Sequence, residues 1–176
     1  MNTPLESVFP GPEQSPGLAL WGVTNSWQRS IRDALAPHGL THMQFVLLAR
    51  LVWGGGEGPV TQRELADAAG AEVMMTSQVV RALEKKGLLE RAAHPSDKRA
   101  VALTATAAGI ELANQANASV EAADAAYFAP LGSKAGAFLE ALHLLDAGPT
   151  RKGRGVTASA KNAPETPDQA ARDTDK

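Results

Sequence analysis

Between Val60 and Gly87 the chain reads VTQRELADAAGAEVMMTSQVVRALEKKG, and this stretch limits the fold more than any other. Thr61 and Glu64 stand three residues apart, just ahead of an apolar position. The spacing predicts a capping box, in which the threonine hydroxyl accepts the Glu64 N–H and the carboxylate accepts the Thr61 N–H. Val60 and Leu65 sit where a hydrophobic staple closes over such a cap. The helix so begun is short, because Gly70 suits the left-handed turn that ends it. A second helix is expected from about Glu72 to Gly87, with Lys85 and Lys86 in its last turn opposing the negative end of the dipole. Two short helices joined by a glycine-containing turn are a helix-turn-helix.

Helical periodicity divides the second helix into two faces. Thr76, Val79, Val80 and Leu83 fall together and are expected in the core. Met74, Ser77, Gln78, Arg81 and Lys85 fall on the other side. Gln bonds adenine edges, Arg bonds guanine edges, Ser bonds bases or phosphate, and Met can touch a thymine methyl. A helix with such a face fits the major groove, its N-terminal half nearest the bases. The plainer alternative is a polar surface helix.

After Gly87, LLERA and AVAL are short strand-like runs around HPSDKR, so a β-hairpin is expected although alanine is a poor strand former. A capped short helix, a glycine turn, a cation-faced helix and a hairpin tipped by Lys98 and Arg99 form, in that order, a winged helix-turn-helix. The wing's cations suit phosphate or a narrow minor groove. Asp97 suits the loop as an acceptor for Arg99 or the wing backbone, and so as a stabiliser of the wing. The alternative is an exposed ion pair worth ~0–1 kcal/mol. From Thr61 to Thr104 there are seven cations and six anions, so DNA affinity would require segregation of the two signs and two copies of the site.

The flanks are helical too. Leu20, Val23, Trp27, Ile31 and Ala34 recur at steps of three and four until Pro37 and Gly39. Thr41 and Gln44, with Leu40 and Phe45 as staple, repeat the capping box before THMQFVLLARLVW. A long alanine-rich helix runs from Thr104 through Ile110, Ala113, Asn117, Val120 and Tyr127 to Pro130. A last helix, about 133–147, places Phe138, Leu142 and Leu145 on one face. Residues 1–16, with four prolines, are expected as an extended N-terminal arm. Residues 148–176 bury too little to order and are expected to be a disordered tail. Arg151, Lys152, Arg154 and Lys161 open that tail, either as a weak nucleic-acid contact or as a solvated terminus.

Composition excludes several classes. A net charge of −2 over 176 residues is not that of a globally basic nucleic-acid binder, and 44% hydrophobic residues suffice for one domain with a core. The chain has no cysteine, so disulfides, cysteine zinc sites and thiol switches are excluded. No apolar run reaches the ~18 residues of a membrane helix, and no secretory signal opens the chain, so no membrane association and a cytoplasmic location are expected. GGGEG follows a helix rather than a strand, and no catalytic triad or carboxylate pair stands at useful spacing, so neither an enzyme nor a cofactor is expected. His38 and His42 straddle a helix break and are too little for a metal site, so no metal is expected.

The stretch TQRELADAAGAEVMMTSQVVRALEKKGLLERAAHPSDKRAVALTATAAG resembles the winged-helix core of the MarR (multiple antibiotic resistance regulator) family. LEKKGLLER, the D-x-R spacing of DKR, and LT ahead of a glycine carry the resemblance, and LTHMQFVLLARL is similar to the family's second helix. The resemblance spans about 18–145. It implies that Asp97 and Arg99 are the wing pair and that Ser77, Gln78 and Arg81 lie on the recognition helix. Thr61, Met74, Lys85 and Lys98 complete the expected DNA contacts. EVMMTSQ departs from the pattern, with two methionines where many members carry small polar residues.

The expected fold is mainly α, a winged helix-turn-helix with a two-stranded β wing inside a domain at 17–147. Its DNA-binding lobe is expected at about 60–104. The resemblance implies an obligate homodimer held by helices at about 18–36 and 120–147, in keeping with Trp21, Trp27, Phe138 and Leu142, which are too much apolar surface for a small monomer. It implies a sequence-specific transcriptional regulator of a pseudo-palindromic operator on double-stranded DNA, expected to be a repressor released by a small, often aromatic acid. Trp27, Ile31, His38, His42, Met43 and Phe45 are the expected lining of that effector site. The alternative is a winged-helix module that binds protein and not DNA.

Overall fold

The computed structural model describes residues 6–54, 60–94 and 100–147. Their elements, in order, are α1 (Pro16–Leu35), α2 (His42–Gly54), β1 (Val60–Thr61), α3 (Gln62–Ala69), α4 (Val73–Lys85), β2 (Leu89–Ala93), β3 (Val101–Ala105), α5 (Ala107–Phe128) and α6 (Ala135–Asp146). The expected wing tip, tail and first five residues lie outside the described residues.

Local chemistry sets most of the helix starts. Ser15 Oγ accepts the Leu18 N–H at 3.4 Å, and Pro16 occupies the first position of α1. The segment before it is not extended throughout: Pro12–Gln14 form one 3-10 turn, with the fixed φ of Pro12 at its start. Both predicted capping boxes are formed. Thr41 and Gln44 exchange two hydrogen bonds of 3.2 Å. The Thr61 N–H donates to Glu64 Oε2 at 2.8 Å, and the Glu64 N–H donates to Thr61 Oγ1 at 3.2 Å. The hydrogen bond from the Thr61 backbone, with that from its side chain, holds the Glu64 carboxyl below its ordinary pKa. Gly39, Gly70 and Gly87 take φ of 63, 63 and 70° at the three helix stops, a region other residues enter at a cost.

The sheet has one strand more than expected. β2 and β3 form the antiparallel hairpin, with Leu89 opposite Ala105 and Ala93 opposite Val101. β1 joins the other edge of β3, Val60 opposite Leu103 and Thr61 opposite Ala102, so β3 is central. The cause is the cap itself: an N-cap residue has extended dihedrals, here φ −77° and ψ 157° at Thr61, which also suit a strand.

The core joins α1 to α5 through Ile31, Leu35, Leu47, Leu48, Leu51, Leu65, Val80, Leu83, Leu89, Leu103 and Ala116, all buried. Each buried side chain of Leu or Ile size contributes about 1.5–3 kcal/mol. Thr76 is the one buried polar residue among those described, and its hydroxyl donates to the Glu72 carbonyl at 3.0 Å. The start of α5 is locked onto the end of α4. Thr106 Oγ1 accepts the Gly109 N–H at 3.0 Å and donates to the Gly87 carbonyl at 2.7 Å. A Cβ on Gly109 would lie 1.9 Å from the Leu88 carbonyl oxygen, so only glycine fits there.

The apolar stripe of α1 divides. Ile31 and Leu35 are buried, whereas Leu18, Leu20, Trp21 and Val23 are exposed. On α6, Phe138 and Leu142 are half-buried, while Leu139, Leu144 and Leu145 are exposed. Among the described residues no helix is long and apolar enough to cross a membrane.

Candidate nucleic-acid interface

The helix α4 turns its two predicted faces as expected. Thr76, Val80 and Leu83 are buried and Val79 is half-buried. Met74, Gln78, Arg81 and Lys85 are exposed, and Ser77 is half-buried beside them. The exposed four form one row, three or four residues apart and about 16 Å long at 1.5 Å of rise per residue. Thr61 lies apart from this row at the α3 cap, half-buried, with its hydroxyl engaged by the Glu64 N–H.

The charges of the lobe are divided by what they touch. Lys86 is spent internally: its Nζ donates to the Gly39 carbonyl at 2.7 Å and to Gln44 Oε1 at 3.1 Å. Arg91 pairs with Glu84 at 3.6 Å. Arg81 and Lys85 stay turned to solvent on the outer row of α4. Beyond Ala93 and Val101 the pairing of the hairpin continues, with the His94 N–H donating to the Ala100 carbonyl at 3.2 Å. Asp97, Lys98 and Arg99, predicted for the wing tip, lie outside the described residues.

A second cluster lies where α1, α2 and α5 meet. The Trp27 indole N–H donates to Asp124 Oδ1 at 2.8 Å, and the indole meets the His42 ring edge-on at a centroid distance of 5.3 Å. His38 Nε2 and Ser119 Oγ are hydrogen-bonded at 2.9 Å. Tyr127 bonds Ser26 and donates to the Val23 carbonyl. Burial lowers the His42 pKa, nearby Asp124 opposes this, and Arg32 adds to the lowering. Of the six residues predicted to line an effector site, Trp27, His38, His42 and Met43 are half-buried, whereas Ile31 and Phe45 are buried in the core.

Sequence reasoning missed Asp124, Ser119, Tyr127 and the internal role of Lys86. Trp27 and Asp124 are 97 residues apart, and Lys86 and Gly39 are 47 apart, so no local pattern points to either contact. Among the described residues no group of three or more His, Cys, Asp or Glu could hold a metal ion.

Comparison with known proteins agrees with this architecture. The MarR family model matches residues 40–101. The HTH-type transcriptional regulator YdcH of Bacillus subtilis is 48% identical over 124 residues, covering 70% of this chain and 84% of the relative. The HTH-type transcriptional repressor Rv2887 of Mycobacterium tuberculosis is 36% identical over 115 residues, covering 65% of this chain and 81% of the relative. The crystal structure of Rv2887 with salicylic acid superposes with a TM-score of 0.59 at 34% identity, over 74% of this chain and 96% of that one. The crystal structure of CouR from Rhodococcus jostii RHA1 bound to p-coumaroyl-CoA gives a TM-score of 0.70 at 27% identity, over 80% of this chain and 97% of that one. With its core motif, its three-stranded winged fold and a relative at this identity, the chain belongs to the MarR family of transcriptional regulators.

Proposed function

We propose that the protein is a homodimeric repressor that lays α4 of each copy in the major groove of a pseudo-palindromic operator. The carrying observation is the outer row of α4, where Gln78, Arg81 and Lys85 are exposed while the opposite face is sealed in the core. Gln78 and Arg81 read base edges, and Lys85, with Lys98 and Arg99 of the wing, meets phosphate. Ser77 and Thr61 add hydroxyl contacts, and Asp97 steadies the wing. A second copy covers Leu18, Leu20 and Trp21 of α1 and the exposed leucines of α6, which makes residues 18–36 and 120–147 the dimer helices.

The effector is a small aromatic acid or its thioester, as the salicylic acid of the Rv2887 structure and the p-coumaroyl-CoA of the CouR structure suggest. Trp27 and His42 offer it half-buried aromatic faces between α1, α2 and α5. Its binding favours a dimer whose two α4 helices are misspaced, and a ~100-fold loss of DNA affinity needs only about 2.7 kcal/mol of differential binding.

The test is binding to a duplex selected in vitro by the full chain. Gln78→Ala or Arg81→Ala is expected to cost about 1–3 kcal/mol and to relax preference at one base pair. Equal weakening on the selected and on mutated duplexes would remove both residues from base reading.

A further inference from the structure

The first turn of α4 is unusual for a surface that meets a polyanion. Val73, Met74 and Met75 are 46%, 81% and 50% exposed, three consecutive apolar side chains left in water. The turn is not an anion seat. Its N-cap is Glu72, whose side chain makes no cap hydrogen bond and whose carboxylate repels phosphate. Met74 nevertheless stands at the head of the row continued by Gln78, Arg81 and Lys85, at helical steps of four, three and four. Its neighbours are therefore complementary to nucleic acid, while Met74 itself offers only an apolar, polarisable tip. In the major groove the one apolar group on a base edge is the C5-methyl of thymine.

From this juxtaposition we infer that Met74 is a specificity-determining residue that reads a thymine methyl group, with Val73 and Met75 screening the contact from water. The inference rests on the proposed placement of α4 in the major groove. Methionine suits the task because its unbranched side chain adapts to the methyl without a hydrogen bond to satisfy. Its place in the first turn agrees, since the N-terminal part of a recognition helix lies nearest the bases.

The experiment removes the methyl and nothing else. A duplex is selected from a random pool by the full-length protein, and each thymine is then replaced singly by deoxyuridine. At one position in each half-site the substitution is expected to weaken the wild-type chain about four-fold, the equivalent of one buried methyl group. Met74→Ala, at an exposed position that leaves the core untouched, is expected to bind the thymine and deoxyuridine duplexes equally. Met74→Leu keeps an apolar tip and is expected to retain part of the difference. Deoxyuridine tolerated at every position by the wild type overturns the inference, as does a four-fold difference that survives in Met74→Ala. In either case saturable binding leaves α4 in the groove. Failure to select any duplex, even in low salt, overturns the placement of α4 and this inference with it.

Discussion

At the residue scale, single atoms decide whether the lobe holds together. The missing Cβ of Gly109 lets the start of α5 sit against the Leu88 carbonyl, where Thr106 also bonds the end of the α4 turn. Gly109→Ala forces backbone against backbone and is expected to destabilise the chain by roughly 1–3 kcal/mol or more, read as a lower urea midpoint. An unchanged midpoint would mean that the approach is not close. His42 gives a second residue-level expectation. Burial depresses its pKa, so its contribution to stability is complete above the ordinary imidazole range and is lost as pH falls through the folded value. Urea midpoints from about pH 7.5 to about pH 5.5 are expected to fall less in His42→Gln than in the native chain. The same slope in both would contradict the burial of that ring. Glu64 does not confuse the measurement. Its pKa is also lowered, so the stability it adds is kept above the ordinary carboxylate range and is lost only at more acid pH.

At the element scale, α4 is aimed by contacts at its end as well as by its buried face. Lys86 fastens the C-terminus of α4 to the turn between α1 and α2, and His38 in that same turn is held by Ser119 of α5. Lys86→Met is expected to lower stability by about 0.5–1.5 kcal/mol and to weaken duplex binding as the helix loosens. Lys85→Met is expected to weaken binding with no change in stability, because Lys85 faces solvent. Urea titration and duplex titration of the two variants separate these roles, and identical behaviour would refute the distinction. The elements readable from sequence were those fixed by neighbours three or four residues apart. Thr41 with Gln44, Thr61 with Glu64, and the stops at Gly39, Gly70 and Gly87 are of this kind. β1 was not readable, since two residues have no periodicity and Thr61 already had a part as a cap. The two faces of α4 followed from helical spacing. The anchors at Lys86 and Asp124 did not, because only the folded chain brings their partners near.

At the scale of the whole molecule, the apolar residues left outside the core are as informative as those within it. Leu18, Leu20, Trp21 and Val23 lie at one end of α1, and Leu139, Leu144 and Leu145 lie on α6, a helix with no buried residue among those described. In the proposed homodimer a second copy covers this surface and supplies the second α4 that a pseudo-palindrome needs. Seven cations against six anions in the lobe leave one copy little net attraction to DNA, so the proposed interface depends on segregation of the two signs as well as on two copies. On the proposed reading, affinity depends on the exposed Arg81 and Lys85 of both copies.

The most direct test of that picture is the affinity of the full chain for its selected duplex as salt is raised from about 50 to about 200 mM. The account predicts a steep, linear fall of log affinity with log salt, about −0.9 for each phosphate contacted, and a shallower slope when Lys85 or Arg99 is replaced by alanine. An affinity indifferent to salt, or no saturable binding at the lowest salt, would contradict it.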